Sequence, residues 1–266
     1  MDIQRGYLYV ATGEKYIEEA LTSLRSLRKV TKSVHATLVT DEPIELPEFD
    51  MIKIVQLDNP NPEEWKSGIL YKVLALQNSP YQQTFFVDTD TYFCASCEEL
   101  FRLLNYYDLL ICHAPSDVSV VKVNNQYLEG YYPYNTGVIV YNKTAKIEKL
   151  FEDWLKMYQL KFKDYPHDQP AFMDALLFNP IKIYVLLPIY NFRTPHFVTL
   201  PPKNVKILHG RPKNFEALAQ KINPVLEHGA WHPQKQTIFT RKATLKQKIY
   251  NRTPKFILDL YRFIRK

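Results

Sequence analysis

Glycine is scarce in this chain, with seven in 266 residues, where proteins usually carry roughly 7%. Each one is therefore expected to stand where a side chain is forbidden. Cysteine is also sparse. Cys94, Cys97 and Cys112 offer no disulfide framework and suit a reducing compartment. Cys94-Ala-Ser-Cys97 has CxxC spacing but lacks a second pair and any thioredoxin context, so neither a zinc nor a redox role is assigned to it. No uncharged apolar run approaches the ~20 residues that span a bilayer. A short, mostly polar start leads straight into a strand, so no secretory signal is expected. Without secretion the sequons at Asn142 and Asn251 carry no weight, and the expected location is cytoplasmic. Internal repeats and low-complexity segments are absent too.

What charge there is sits unevenly. Nine of the 34 basic residues but only one of the 28 acids, Asp259, fall from Arg241 onward, so the body carries 25 bases and 27 acids. A near-neutral body argues against nucleic acid as a partner, because such proteins carry their charge on the folded surface. The chain reads as a body over 1–240 and a basic amphipathic tail over 241–266. Within the tail, Thr253-Pro254 suits a helix start. Phe256, Ile257, Leu260, Phe263 and Ile264 then share one face of that helix. Two readings stand for it: docking on an anionic membrane surface, at the cytoplasmic face, or packing on the body.

Strand-like runs alternate with amphipathic helical segments, which is the α/β pattern. Strands are expected at Tyr7–Ala11, Ala36–Val39, Ile52–Leu57, Phe85–Val87, Leu109–Cys112 and Gly137–Tyr141. Helices are expected at Tyr16–Arg28, Trp65–Gln77, Lys146–Phe162 and Pro170–Leu177, with a proline-punctuated aromatic region from Ile181 to Leu208.

The chemistry centres on Asp88-Thr89-Asp90 at the end of the fully apolar Phe85-Phe86-Val87. Two carboxylates there repel each other unless a hard divalent cation joins them to phosphate oxygens. The carboxyl end of a strand is also where α/β proteins bind ligands. A solvated turn is the competing reading. In Tyr134-Asn135-Thr136-Gly137 the Asn135 amide can donate to and accept from sugar hydroxyls, and Gly137 permits close approach to the backbone. No GxGxxG follows the first strand, and neither a GxxxxGK[ST] loop nor a sugar-1-phosphate nucleotidyltransferase signature is present.

With Lys72 sixteen residues before Asp88, Asn135-Thr136-Gly137-Val138, His167-Asp168-Gln169 and His209-Gly210-Arg211-Pro212-Lys213, the chain from about Tyr7 to Lys213 resembles the GT-A-fold glycosyltransferases. Among them it is most similar to the glycogenin and galactosyltransferase-like family 8. The resemblance implies a mixed, mostly parallel sheet flanked by helices. It also implies transfer of a sugar from a nucleotide-diphosphate donor, a UDP-sugar, to a glycan, lipid-linked or protein acceptor, with retention of configuration. It gives Asp88, Asp90 and His209 to Mn2+ or Mg2+, and Lys72 and Lys213 to the donor diphosphate. Ala11, Thr12, Gly13 and Tyr16 fall to the nucleotide, and Asn135, Thr136, Gly137, Thr89 and Gly210 also line the donor. Asp168 and Gln169 fall beneath the transferring sugar. Asp168 becomes the general base if the outcome is inversion.

The pattern is not matched throughout. The glycine and lysine after His209 stand two residues closer to it than the family places them, which weakens Lys213. Other readings remain for single residues: a solvated Lys72, a helix cap for Asp168, a loop histidine for His209. Tyr131, Tyr132 and Tyr134 suit either acceptor stacking or burial, and His228 and His232 read as structural. A non-catalytic carbohydrate- or nucleotide-binding protein on the same fold is the alternative function.

Overall fold

The structure, a computed structural model, describes residues 3–57, 65–115, 122–123, 126–127, 131–162, 165, 167–223 and 228–240. The basic tail, with the helix expected in it, lies outside these residues.

The first half alternates as β1 (Ile3–Val10), α1 (Glu14–Val30), β2 (Ala36–Thr40), β3 (Met51–Ile54), α2 (Trp65–Gln77) and β4 (Tyr81–Val87). Then come β5 (Thr91–Phe93), α3 (Glu99–Leu103), β6 (Leu109–His113) and a minimal antiparallel pair, β7 (Lys122–Val123) and β8 (Gln126–Tyr127). The second half runs through β9 (Tyr134–Asn142), α4 (Ala145–Met157), a π-helical turn (Tyr158–Phe162), α5 (Gln169–Phe178) and β10 (Ile183–Val185). It closes with β11 (Phe192–Arg193), β12 (Val198–Leu200), β13 (Ile207–His209), α6 (Phe215–Ile222), β14 (Gly229–His232) and β15 (Thr237–Thr240).

Seven strands form the main sheet in the order β10-β6-β9-β4-β1-β2-β3. Every neighbouring pair is parallel except the two made by β9. The mixed, mostly parallel sheet flanked by helices is thus the architecture present.

Strand periodicity explains the layers. Tyr7, Tyr9, Phe85 and Val87 point to the face covered by Leu24 and Leu27 of α1 and Phe101 of α3. Leu8 and Phe86 point to the other face, under Val73 of α2, Trp154 of α4 and Phe172 of α5. With helices on both faces, β4 must be apolar on both sides, which is why Phe85-Phe86-Val87 is an unbroken run. A third, smaller core around Phe192, Leu208 and Trp231 lies among the short strands of the second half.

Three expected boundaries shift for physical reasons. β1 begins at Ile3, because Ile3 and Arg5 pair with Tyr81 and Gln83 of β4. The expected Lys146–Phe162 helix leaves α-helical geometry after Met157. Its start is set by the Thr144 hydroxyl, which accepts from the Ile147 amide as an N-cap. The Ile181–Leu208 region resolves into strands only through long-range pairing, chiefly β13 with β5 and β11.

Candidate active site

Four chain segments converge at the carboxyl ends of the parallel strands. β4 delivers Asp88 just past Val87. β1 delivers Ala11 and Thr12 just past Val10. Running the opposite way, β9 begins where β4 ends, so the Gly137 carbonyl accepts from the Asp88 amide at 2.8 Å. A register break helps here. Between Ile111 and Cys112 of β6, the partner on β9 jumps from Ile139 to Asn135, which releases Thr136 and Gly137 from β6. β13 pairs antiparallel with β5, setting His209 opposite Thr91. The Gly210 amide then donates to the Asp90 carbonyl at 2.9 Å.

His209 Nε2 lies 3.2 Å from Asp90 Oδ1 and 3.7 Å from Asp88 Oδ2. One ligand atom from each of the three lies within 4.8 Å of the other two, so the group can hold a metal ion. Among the described residues no other such cluster of His, Cys, Asp or Glu forms. Gly137 is the cradle. A Cβ there would stand 2.1 Å from His209 Cε1 and 2.6 Å from Asp88 Oδ2. Two carboxylate oxygens with one imidazole nitrogen make a donor set that fits a divalent cation.

The charges around this group are balanced within the protein. Burial works to raise the Asp90 carboxyl, yet His209, Arg211 and Arg193 together hold it well below the usual carboxylate range. Burial and the nearby Arg193 push the His209 imidazole down, against the pull of Asp90 and Asp88. Burial likewise works against the Lys72 ammonium, but Asp168 and Asp88 outweigh it and hold its pKa above the ordinary lysine value. Lys72 Nζ lies 3.1 Å from Asp168 Oδ2 and 3.2 Å from Asp88 Oδ1. It also donates to Thr136 Oγ1, whose hydroxyl donates onward to Asp168 Oδ2 at 2.8 Å. Asp168 opens α5 but makes no side-chain cap hydrogen bond, so its carboxylate is committed to the lysine and the threonine instead.

A cavity of about 370 Å³ opens over this floor. Ala11, Thr12, Tyr16, Lys72, Asp88, Thr89, Asp90 and His209 line it, together with His167, Arg193 and Arg211. Asn135, Thr136, Gly137 and Asp168 sit directly behind it through the bonds given above. Gly13 is the N-cap of α1 at φ 76°, a left-handed value that favours glycine, and does not line the cavity. Gly210 acts through its backbone, and Gln169 is the half-buried first residue of α5.

Lys213 falls elsewhere. It lines a separate cavity with Lys29 and Phe215. Arg211 takes the nearer position. Its Nη1 lies 3.2 Å from Asp90 Oδ2, and its other nitrogens hold both Glu19 oxygens at 2.7 and 2.9 Å. Thr89 donates to the same Glu19 carboxylate at 2.9 Å.

Four residues here escaped sequence reasoning: Glu19, Asn191, Arg193 and Arg211. Arg211 stood inside a quoted motif and was passed over for the lysine. Glu19 reads as a polar-face residue of a helix. Asn191 and Arg193 lie in the irregular region, where no periodicity points at a site. All three cysteines are free thiols, and burial pushes Cys94 up to about 12. Tyr131 donates to the Met173 carbonyl, Tyr134 stacks on His113, and Tyr132 stays exposed. His232 packs between Phe197 and Phe239.

Solved structures share this architecture. The glycosyltransferase GlyE of Streptococcus pneumoniae TIGR4 superposes with TM-score 0.55 at 14% identity, over 79% of this chain and 55% of that one. An active-site mutant of LgtC gives 0.55 at 14%, over 78% and 87%. The chain has the GT-A glycosyltransferase fold. Mouse xyloside xylosyltransferase 1 in its apo form gives 0.51 at 13%, over 79% of this GT-A chain and 99% of its own. The GT-A chain thus spans about half the length of GlyE. No family model matches the sequence, and no curated protein does. No helix among the described residues of this GT-A chain is long and apolar enough to cross a membrane.

Proposed function

We propose that the protein is a glycosyltransferase that moves a sugar from a nucleotide-diphosphate donor, a UDP-sugar, to an acceptor hydroxyl. The observation that carries this reading is the Asp88, Asp90 and His209 group on the floor of a cavity at the carboxyl ends of the strands. A divalent cation held by Asp88, Asp90 and His209 would supply positive charge that offsets the charge of a diphosphate leaving group.

This chain's own residues do the rest. Ala11, Thr12 and Tyr16, at the end of β1 and the start of α1, receive the nucleoside. Lys72 faces the site as a buried cation, positioned to meet a phosphate or sugar oxygen once the donor competes with Asp88. Arg211 fills the role that the resemblance gives to Lys213, and its planar guanidinium suits phosphate oxygens. Asp168, beside Lys72, is placed to contact the transferring sugar. With Asp168 already paired to Lys72 and Thr136, retention is the stereochemical outcome we favour over its service as a base.

Incubation with UDP-sugars, Mn2+ and acceptor extracts tests the reading. Released UDP and a glycosylated product with the donor's anomeric configuration, read by NMR on the first-formed product, are expected. Tight donor binding without turnover would favour the binding-protein alternative, and an inverted product would promote Asp168 to general base.

A further inference from the structure

The side chains behind His209 form a chain of hydrogen bonds whose direction is set at one end. Asn135 Oδ1 accepts from the Gly137 amide at 3.1 Å. A backbone N–H can only donate, so the atom it meets on Asn135 is the oxygen and not the amide nitrogen. That oxygen also contacts Asn191 at 2.8 Å, and an acceptor there requires the Asn191 nitrogen. Turned this way, Asn191 presents its oxygen to His209 Nδ1 at 2.7 Å. An oxygen acceptor facing Nδ1 requires the proton on Nδ1. A metal takes the neutral imidazole, whose one proton then stays on Nδ1, so Nε2 is the nitrogen free to offer its lone pair, and it is the one facing Asp88 and Asp90. Asn191 and His209 are 4% and 2% exposed, so water does not compete for these bonds.

We propose that Asn191 is a positioning residue for the metal: it locks His209 in the Nδ1–H tautomer and aims Nε2 into the cluster. The proposal rests on the metal reading above. Asn191 comes from the turn between the Pro188–Tyr190 helical turn and β11, and its carboxamide ties that turn to both β9 and β13. Partners that orient ligating histidines in this way typically contribute 10–100-fold in metal affinity.

Imidazole nitrogen NMR on the 15N-labelled full chain is the direct test, and it needs no variant. His209 Nδ1 is expected to carry a proton both without metal and with diamagnetic Mg2+, while the Nε2 signal moves on Mg2+ addition. Asn191→Leu is expected to weaken Mn2+ binding about 10–100-fold by calorimetry. Asn191→Asp, which keeps the acceptor for Nδ1 but loses the donor to Asn135 Oδ1, is expected to recover part of that loss. A bare Nδ1 in a wild type that binds Mn2+, or Asn191→Leu binding Mn2+ like wild type, overturns this assignment alone. A wild type that binds neither metal overturns the metal reading and this assignment with it.

Discussion

Lys72 and Asp168 meet at 3.1 Å with both side chains almost fully withdrawn from solvent. Lys72 compensates Asp168 and Asp88 together, so removing it leaves buried carboxylate charge without its cation. Lys72→Met is therefore expected to destabilise the protein by about 3 kcal/mol in urea unfolding. The paired Lys72→Met, Asp168→Leu variant is expected to recover part of that loss. Equal stability of wild type and the single variant would show that the pair is not coupled in the folded state.

The same lysine sets an alkaline limit. Its pKa is raised in the folded protein, so its contribution is complete below the unfolded value of about 10.4 and is lost as pH rises through the folded one. Asp90 works in the opposite sense. Its pKa is depressed, so its contribution is present above about pH 3.9 and is lost as pH falls towards the folded value. Melting curves of the metal-free protein should thus show an acid-side stability loss that is smaller in Asp90→Asn. An identical acid slope in the two proteins would count against the charge balance described for Asp90.

Gly137 is needed for space rather than for an unusual backbone conformation. The methyl of Gly137→Ala has to displace the His209 ring and the Asp88 carboxylate, both of which a Cβ would overlap. Overpacking of this kind costs about 1–3 kcal/mol. The expected outcome is a folded protein with a lowered urea midpoint and at least tenfold weaker Mn2+ binding. Ordinary Mn2+ affinity would mean that the three ligands do not act together.

Arg211 and Lys213 separate what the motif suggests from what the turn permits. Arg211→Ala is expected to weaken nucleotide-diphosphate binding tenfold or more, whereas Lys213→Ala leaves it within twofold. Calorimetry with UDP and Mn2+ distinguishes them, and the reverse order would restore the lysine to the site.

Much of this site was readable where chemistry follows regular structure. Asp88 and Asp90 stood out because acids at the end of an apolar strand conflict with their surroundings, and Gly137 because glycine is so sparing here. The alternation of strands and helices, and the burial of β4 in the sheet interior, followed from periodicity and apolar runs. Asn191 and Arg193 were invisible for the converse reason. Their placement depends on β11 pairing with β13, a contact between short strands with no periodic signal of their own. Arg211 rather than Lys213 lies beside Asp90, a placement that residue type alone did not distinguish. The helix expected to start at Thr253-Pro254 lies outside the described residues, so both readings of the tail remain expectations.

Metal-dependent nucleotide binding is the claim on which the rest depends, and titration of UDP into the full chain measures it directly. With Mn2+ present, the wild type is expected to bind UDP saturably. Removal of the metal with EDTA, or Asp90→Asn in the presence of Mn2+, is expected to abolish that binding while circular dichroism shows the fold intact. UDP affinity that stays the same without metal and in Asp90→Asn would contradict the account.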